Sequence, residues 1–251
     1  MLSRNISQNN INLGCLMESP QFGEFDLQIP EKYLPYTNEY YARSLNINTY
    51  AIDYLHVIHG INDELMELYK LGFSSREIES RLPSIKSFKS IQMRSSVQRV
   101  TLLKHHRHGA LSGCITVPVY QGRDLVGFYS ESIRSYHCMI KSGYWACGGA
   151  PRIFNLDKVH EKTVFYIFDN PLRGISMMPV LSDSVLGVVS GFNLLSSEID
   201  CIASKRPEKI VICYSNYLPK HIKTRLERQF KKYNIPIHFE AEIDEFIYGR
   251  A

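Results

Sequence analysis

The feature that most constrains this chain lies in its last third, where short unbroken apolar runs alternate with amphipathic segments. "TVFYIFDN" (163–170) reads as strand, "PLRGISMMPV" (171–180) as a short helix and "SVLGVVSG" (184–191) as strand. "LLSSEIDCIASK" (194–205) then reads as helix, "KIVICYS" (209–215) as strand, "LPKHIKTRLERQFKKY" (218–233) as helix and "IPIHFE" (235–240) as strand. Strands that are apolar at every position need cover on both faces, and a helix between successive strands supplies it. The pattern predicts an α/β domain: a mostly parallel sheet with helices on both faces.

Upstream the period changes. "GCITVPVYQGRDLVGFYSESI" (113–133) predicts a hairpin, with strands at 115–120 and 125–130 around the turn Gln121–Asp124. Between about Glu39 and Val100 the spacing is helical: Tyr50, Tyr54, Val57 and Ile58 recur at helix intervals, as do Ile61, Leu65, Leu68 and Tyr69. Leu65, Leu68 and Leu71 predict a helix stopped by Gly72. Ser74 and Glu77 have the spacing of a capping box opening a second short helix, which Pro83 ends. A third helix is expected over 86–104. Two short helices and a tight turn before a basic helix follow the logic of a helix-turn-helix; a plain helical bundle with the same turn reads identically. The expected organisation is an irregular arm (1–36), a helical basic module (37–108), a β-hairpin subdomain (109–160) and the parallel-sheet domain (161–251).

Charge enters here. The net charge of +4 is mild, yet Arg76, Arg81, Lys86, Lys89, Arg94, Arg99, Lys104 and Arg107 follow one another against only Glu77 and Glu79. Such a block is either a solvated helix face or the footprint of phosphate neutralisation, and the overlapping helix pattern favours the second. Arg123 and Arg134 extend it on the hairpin side. An apolar share of 44% and a charged share of 22% are those of a globular protein. The first residues lack the apolar core of a signal peptide, no stretch has the length of a membrane span, and the expected location is cytoplasmic. Six scattered cysteines without a C-x-x-C pair point to reduced thiols rather than a disulfide framework. His105, His106, His108, Cys114, Cys138 and Cys147 match no closed zinc spacing.

No P-loop and no G-x-S-x-G elbow is present, which argues against NTP hydrolysis of that type and against α/β-hydrolase chemistry. "CGGAP" (147–151) has the composition of an anion nest but more simply that of a loop. "KHHRH" (104–108) extends the basic surface, and Trp145 with the many tyrosines reads mainly as packing.

The order of the pieces resembles the catalytic core of bacterial replicative DNA primases and related proteins of mobile elements, which join a helical and hairpin subdomain to a TOPRIM domain. Gly113, Ile115, Pro118, Gly122, Val126, Gly127 and Phe128 match the spacing of the family's "FPI", turn and "GFGGR" stretch. "APRIFNLDKV" (150–159) resembles its "LYGLDKA", and "VFYIFDNPLRGISMM" (164–178) stands where it has "VVVVEGYMDVIAL". "YNIPIHFEAEIDEF" (233–246) resembles its closing strand and tail, with Asp244 at the Asp position. The family's N-terminal zinc module has no counterpart here.

The resemblance implies a Mg²⁺ site built from a Glu after the first TOPRIM strand and an Asp-x-Asp after the third. In this chain Asp169 takes the Glu position, and the Asp-x-Asp is rewritten as Ser215-Asn216-Tyr217. Neutral side-chain oxygens do not replace paired carboxylates for a hard cation. Asp183 and Glu198, the other acids nearby, read as a turn acid and a first-turn helix acid. The expectation is a non-catalytic DNA-binding protein without a cofactor, acting in replication, transfer or transcription control on a mobile element. Two alternatives stay open: an active primase- or nuclease-like enzyme using Asp169 and Mg²⁺, and a protein-interaction subunit that binds no nucleic acid. Protein partners and a homo-oligomer are compatible with each; a membrane is not expected.

Overall fold

The computed structural model describes residues 34–75, 111–133, 142–146, 153–169, 171–181, 185–188, 192–214 and 218–241. In chain order these residues form α1 (Leu34–Asn46), α2 (Thr49–His59), α3 (Asp63–Leu68), β1 (Gly72–Ser74), β2 (Cys114–Gln121), β3 (Asp124–Ser132), β4 (Ser142–Ala146) and β5 (Ile153–Phe154). There follow β6 (Val164–Phe168), α4 (Pro171–Leu181), β7 (Val185–Val188), α5 (Ser196–Ser204), β8 (Lys209–Tyr214), α6 (Lys220–Lys231) and β9 (Ile237–Ala241). One sheet has the order β1-β2-β3-β4 and the other β5-β7-β6-β8-β9. The described residues fall into two compact units, within the bounds Met1–Ala51, Leu71–Thr116 and Ser130–Lys141 for the first, and Ile52–Lys70, Val117–Tyr129 and Ser142–Ala251 for the second.

The second unit carries the parallel sheet that the sequence pattern predicts. β6 pairs in parallel with β7 and with β8, and β8 with β9; only the short β5 runs antiparallel, at the β7 edge. Because side chains alternate across a strand, Phe165 and Ile167 of β6 and Ile210 and Ile212 of β8 share one face. They pack with Ile199 and Ile202 of α5 and with Leu226 and Phe230 of α6. Phe168, Val211 and Cys213 are buried on the opposite face, the side of α4, whose Leu172, Ile175 and Met178 are buried. Cover on both faces explains why these strands are apolar throughout. The order β7-β6-β8 also reverses direction at β6, and in such sheets the crevice at the carboxyl ends is where ligands gather.

In the first unit the close approach of α1 to β1 decides a residue. A Cβ on Gly72 would stand 2.5 Å from Tyr41 Cβ and 2.8 Å from Thr116 Oγ1, so only glycine fits. Around this contact Leu34, Tyr41, Leu45, Leu71, Phe73 and Ile115 are buried.

This corrects the helical reading of "LGFSS". Gly72 does not stop a helix and Ser74 does not cap one: α3 ends at Leu68, and Gly72–Ser74 is a strand paired antiparallel with Thr116–Cys114. The remainder of the expected helix-turn-helix, with Glu77 and the helix over 86–104, lies outside the described residues. Two further differences are local. α1 begins at Leu34, ahead of Glu39, where Pro35 suits a first helical turn. Tyr50, Val57 and Leu68 point outward, and the inward positions are Ala51, Tyr54, Leu55 and Leu65. The hairpin is as expected, its two-residue loop placing Gly122 where φ is positive (62°). No described helix is long and apolar enough to cross a membrane.

Candidate functional site

Two places in the second unit gather chemistry-bearing side chains. The first is the carboxyl edge of the parallel sheet. The register sets Phe168 beside Cys213, and Cys213 beside Glu240 of the edge strand β9. Asp169 follows Phe168 directly and precedes α4. Arg173, one helical turn further on, donates from Nη1 to Asp169 Oδ1 at 2.9 Å, and its guanidinium also lies 5.7 Å from the centre of the Phe168 ring. The pair is partly shielded, Arg173 being 14% and Asp169 29% exposed. Burial pushes the Cys213 thiol up to about 12; Glu240 and Asp169 add to the rise and Arg173 opposes it. A thiol in that state is protonated at neutral pH and a poor nucleophile.

Among the described residues this edge offers two carboxylates, Asp169 and, on β9, Glu240. Mg²⁺ calls for anionic oxygens in octahedral array, and the carboxylate of Asp169 is already shared with a guanidinium. Among the described residues no three His, Cys, Asp or Glu side chains converge. Ser215, Asn216, Tyr217 and Asp183 lie outside the described residues. Glu198 has the structural role read from its position: buried in the first turn of α5, its Oε2 accepts from the Leu195 N–H at 2.7 Å.

The second place is a cavity of about 320 Å³. Tyr69, Tyr120, Phe154 and Pro118 form its apolar lining, and Lys70, Arg123 and Lys158 stand at its rim. The Tyr69 ring meets Phe154 edge-on at 5.6 Å between centroids, with Lys158 Nζ 4.9 Å from the Tyr69 centroid. The Tyr69 hydroxyl donates to Met178 Sδ. Asp157, the acid of the rim, accepts from the Gly122 N–H at 2.5 Å and has Lys205 Nζ at 3.9 Å, so its charge is engaged by the hairpin turn and a lysine. Burial raises the Tyr120 phenol and keeps it neutral. Tyr69 and Phe154 are buried and Tyr120 is half-buried, so what the cavity presents to a ligand is chiefly the exposed Lys70, Arg123 and Lys158, and such cations can hold a phosphate.

Of the residues expected to contact DNA, Arg123 is at this rim; Arg76, Arg81, Lys86, Lys89, Arg94, Arg99, Lys104, Arg107 and Arg134 lie outside the described residues. Sequence reasoning missed Tyr69, Lys70, Tyr120 and Lys158. The segment "NLDK" (155–158) was the available sign, since it resembles the primases' "LYGLDKA".

No protein-family model and no curated protein matches the chain. Solved structures do. The catalytic core of the primase DnaG matches with a TM-score of 0.69 at 12% identity, over 88% of this chain and 76% of that one. The zinc-binding and RNA polymerase domains of Aquifex aeolicus primase match with a TM-score of 0.72 at 15% identity, over 95% of this chain but only 64% of that one. A DnaG catalytic domain bound to single-stranded DNA gives 0.68 at 12% identity, covering 86% and 71%. The RNA polymerase domain of Mycobacterium tuberculosis DnaG, in complex with a double-stranded DNA carrying a 6-nucleotide overhang, gives 0.61 at 9% identity, covering 90% and 75%. At these identities what is shared is the fold: this chain has the architecture of a primase catalytic core, TOPRIM domain included.

Proposed function

We propose that this chain binds nucleic acid on a primase-type core and does not itself transfer nucleotides. The observation that carries the reading is the cavity lined by the exposed Lys70, Arg123 and Lys158 together with Tyr120, Tyr69 and Phe154. Cationic side chains supply the sequence-independent affinity for phosphate, and the half-buried Tyr120 is the ring of the three open to an unpaired base. Two solved structures with this fold hold DNA, one single-stranded and one a duplex with an overhang, which supports the same class of partner. The basic run from Arg76 to Arg107, with Arg134, supplies further candidates for phosphate contact under the same proposal.

Catalysis is not expected at the sheet edge. Phosphoryl transfer needs cations to stabilise charge developing on phosphate oxygens. Asp169 is held by Arg173, and the positions that would supply further acids carry Ser215, Asn216 and Tyr217. The resemblance to mobile-element proteins suggests a cytoplasmic role in replication, transfer or transcription control of such an element.

The test is a Lys70→Ala/Arg123→Ala/Lys158→Ala variant titrated with a labelled single-stranded oligonucleotide at several salt concentrations. Its affinity should fall, and its slope of log K against log salt should shrink by about 2, since each lost single-strand contact removes about 0.7. Unchanged affinity and slope would remove the pocket from the interface. Primer synthesis or nicking with Mg²⁺ or Mn²⁺ should be absent; metal-dependent turnover abolished by Asp169→Ala would return the chain to the enzymes.

A further inference from the structure

We infer that the outward face of α6, remote in sequence from the basic run 76–107, is a second surface for the phosphate backbone of nucleic acid. The inference rests on the nucleic-acid reading above and adds a surface to it.

Leu226 and Phe230 are buried against the sheet and fix which side of α6 faces in. At about 100° per residue, Lys220, Thr224, Arg228, Lys231, His221 and Lys232 fall within a sector of about 120° on the far side. All six are exposed. Glu227, at the margin of that sector, is the only acid of the helix. Lys223 and Arg225 are engaged elsewhere: Lys223 Nζ bonds the Tyr214 hydroxyl at 3.0 Å, and Arg225 bonds Asn193 Oδ1 at 2.6 Å and the Phe192 carbonyl at 3.1 Å. From Lys220 to Lys231 the stripe runs about 16 Å at 1.5 Å per residue, the reach of several consecutive phosphates.

Helix stability does not account for the pattern. Cations in the last turn suit the helix dipole, which covers Arg228 and Lys231. Lys220 is at the wrong end for that effect, and no acid occupies the first turn. Arg228 lies three and four residues from Lys231 and Lys232, where like charges weaken a helix. The same surface fits other partners poorly. An amphipathic helix that enters a lipid surface must offer its apolar face, and here that face is buried in the core. A protein interface needs aromatic or aliphatic anchors at its centre, and the stripe has none. Long flexible cations without an apolar centre suit a repeating phosphate chain.

The test compares the full chain with a Lys220→Ala/Arg228→Ala/Lys231→Ala/Lys232→Ala variant, binding a labelled 30-nucleotide single strand followed by anisotropy across a salt series. All four side chains are exposed, so an unchanged melting curve is expected and is checked first. The variant should bind at least tenfold more weakly, with a salt slope smaller by about 3. The conservative Lys220→Arg/Lys231→Arg/Lys232→Arg variant should keep both, and its failure to do so would contradict a role set by charge. If the wild type binds and the alanine variant binds equally, the α6 surface is wrong while the pocket reading stands. If the wild type does not bind, both fail. Loss confined to anionic vesicles, with DNA binding intact, would overturn the inference in favour of a membrane.

Discussion

At Asp169 a carboxylate within reach of solvent is paired with a guanidinium from the next helical turn, and a buried thiol lies on the neighbouring strand. The thiol gives a pH test of this edge. For Cys213 the folded value, about 12, stands above the ordinary 9. The folded state therefore holds a proton that the unfolded chain releases between those values. The stabilisation is complete below about pH 9 and is lost as the pH rises toward 12. Wild type should lose stability relative to Cys213→Ala between about pH 9 and pH 11, by up to about 1.4 kcal/mol per pH unit. Urea midpoints measured in parallel check this, and equal pH dependence in the two proteins would contradict it. In the folded protein at pH 8, Cys213 should also resist thiol reagents until the chain unfolds. Asp169 was legible in the sequence as the acid that follows the strand at this edge. The Arg173 contact was not legible, because a four-residue helical spacing becomes an ion pair only once the helix start at Pro171 is fixed.

Elements that depend on local periodicity were legible, and elements that depend on distant partners were not. β6, β8, α5 and α6 fall where apolar runs and helical stripes put them, since each is defined by its own residues. β1 is three residues long and exists through pairing with Cys114–Thr116, about forty residues away. Locally, "GFS" carries the same marks as a helix stop followed by a cap. Two glycines then separate into different cases. Gly72→Ala should destabilise by about 2 kcal/mol or more, because the added methyl meets Tyr41 at 2.5 Å in a packed interior. Gly122→Ala has open space and pays only for its positive φ, about 1 kcal/mol. Chemical denaturation of both variants tests the contrast, and a reversed order would contradict the close approach of β1 and α1. Glu198→Ala should cost about 1 kcal/mol through the lost bond to the Leu195 N–H.

At the scale of the whole molecule, the fold was read from the order of weak pieces, none of which identifies it alone. The sheet order β5-β7-β6-β8-β9 and the match to primase catalytic cores agree with that reading. The pocket was not legible as a site, because Tyr69, Tyr120 and Lys158 come from three separated segments that meet only in the folded chain. On the proposed function, the pocket and the cationic helix face of this primase-type core hold nucleic acid, and the edge at Asp169 does not extend it. The most direct measurement is anisotropy of a labelled single-stranded DNA titrated with the full chain in EDTA, repeated across a salt series. The expected result is binding without divalent metal, with log K falling linearly and steeply as log salt rises. Binding that requires a divalent metal, or no binding at low salt, would contradict the proposed function.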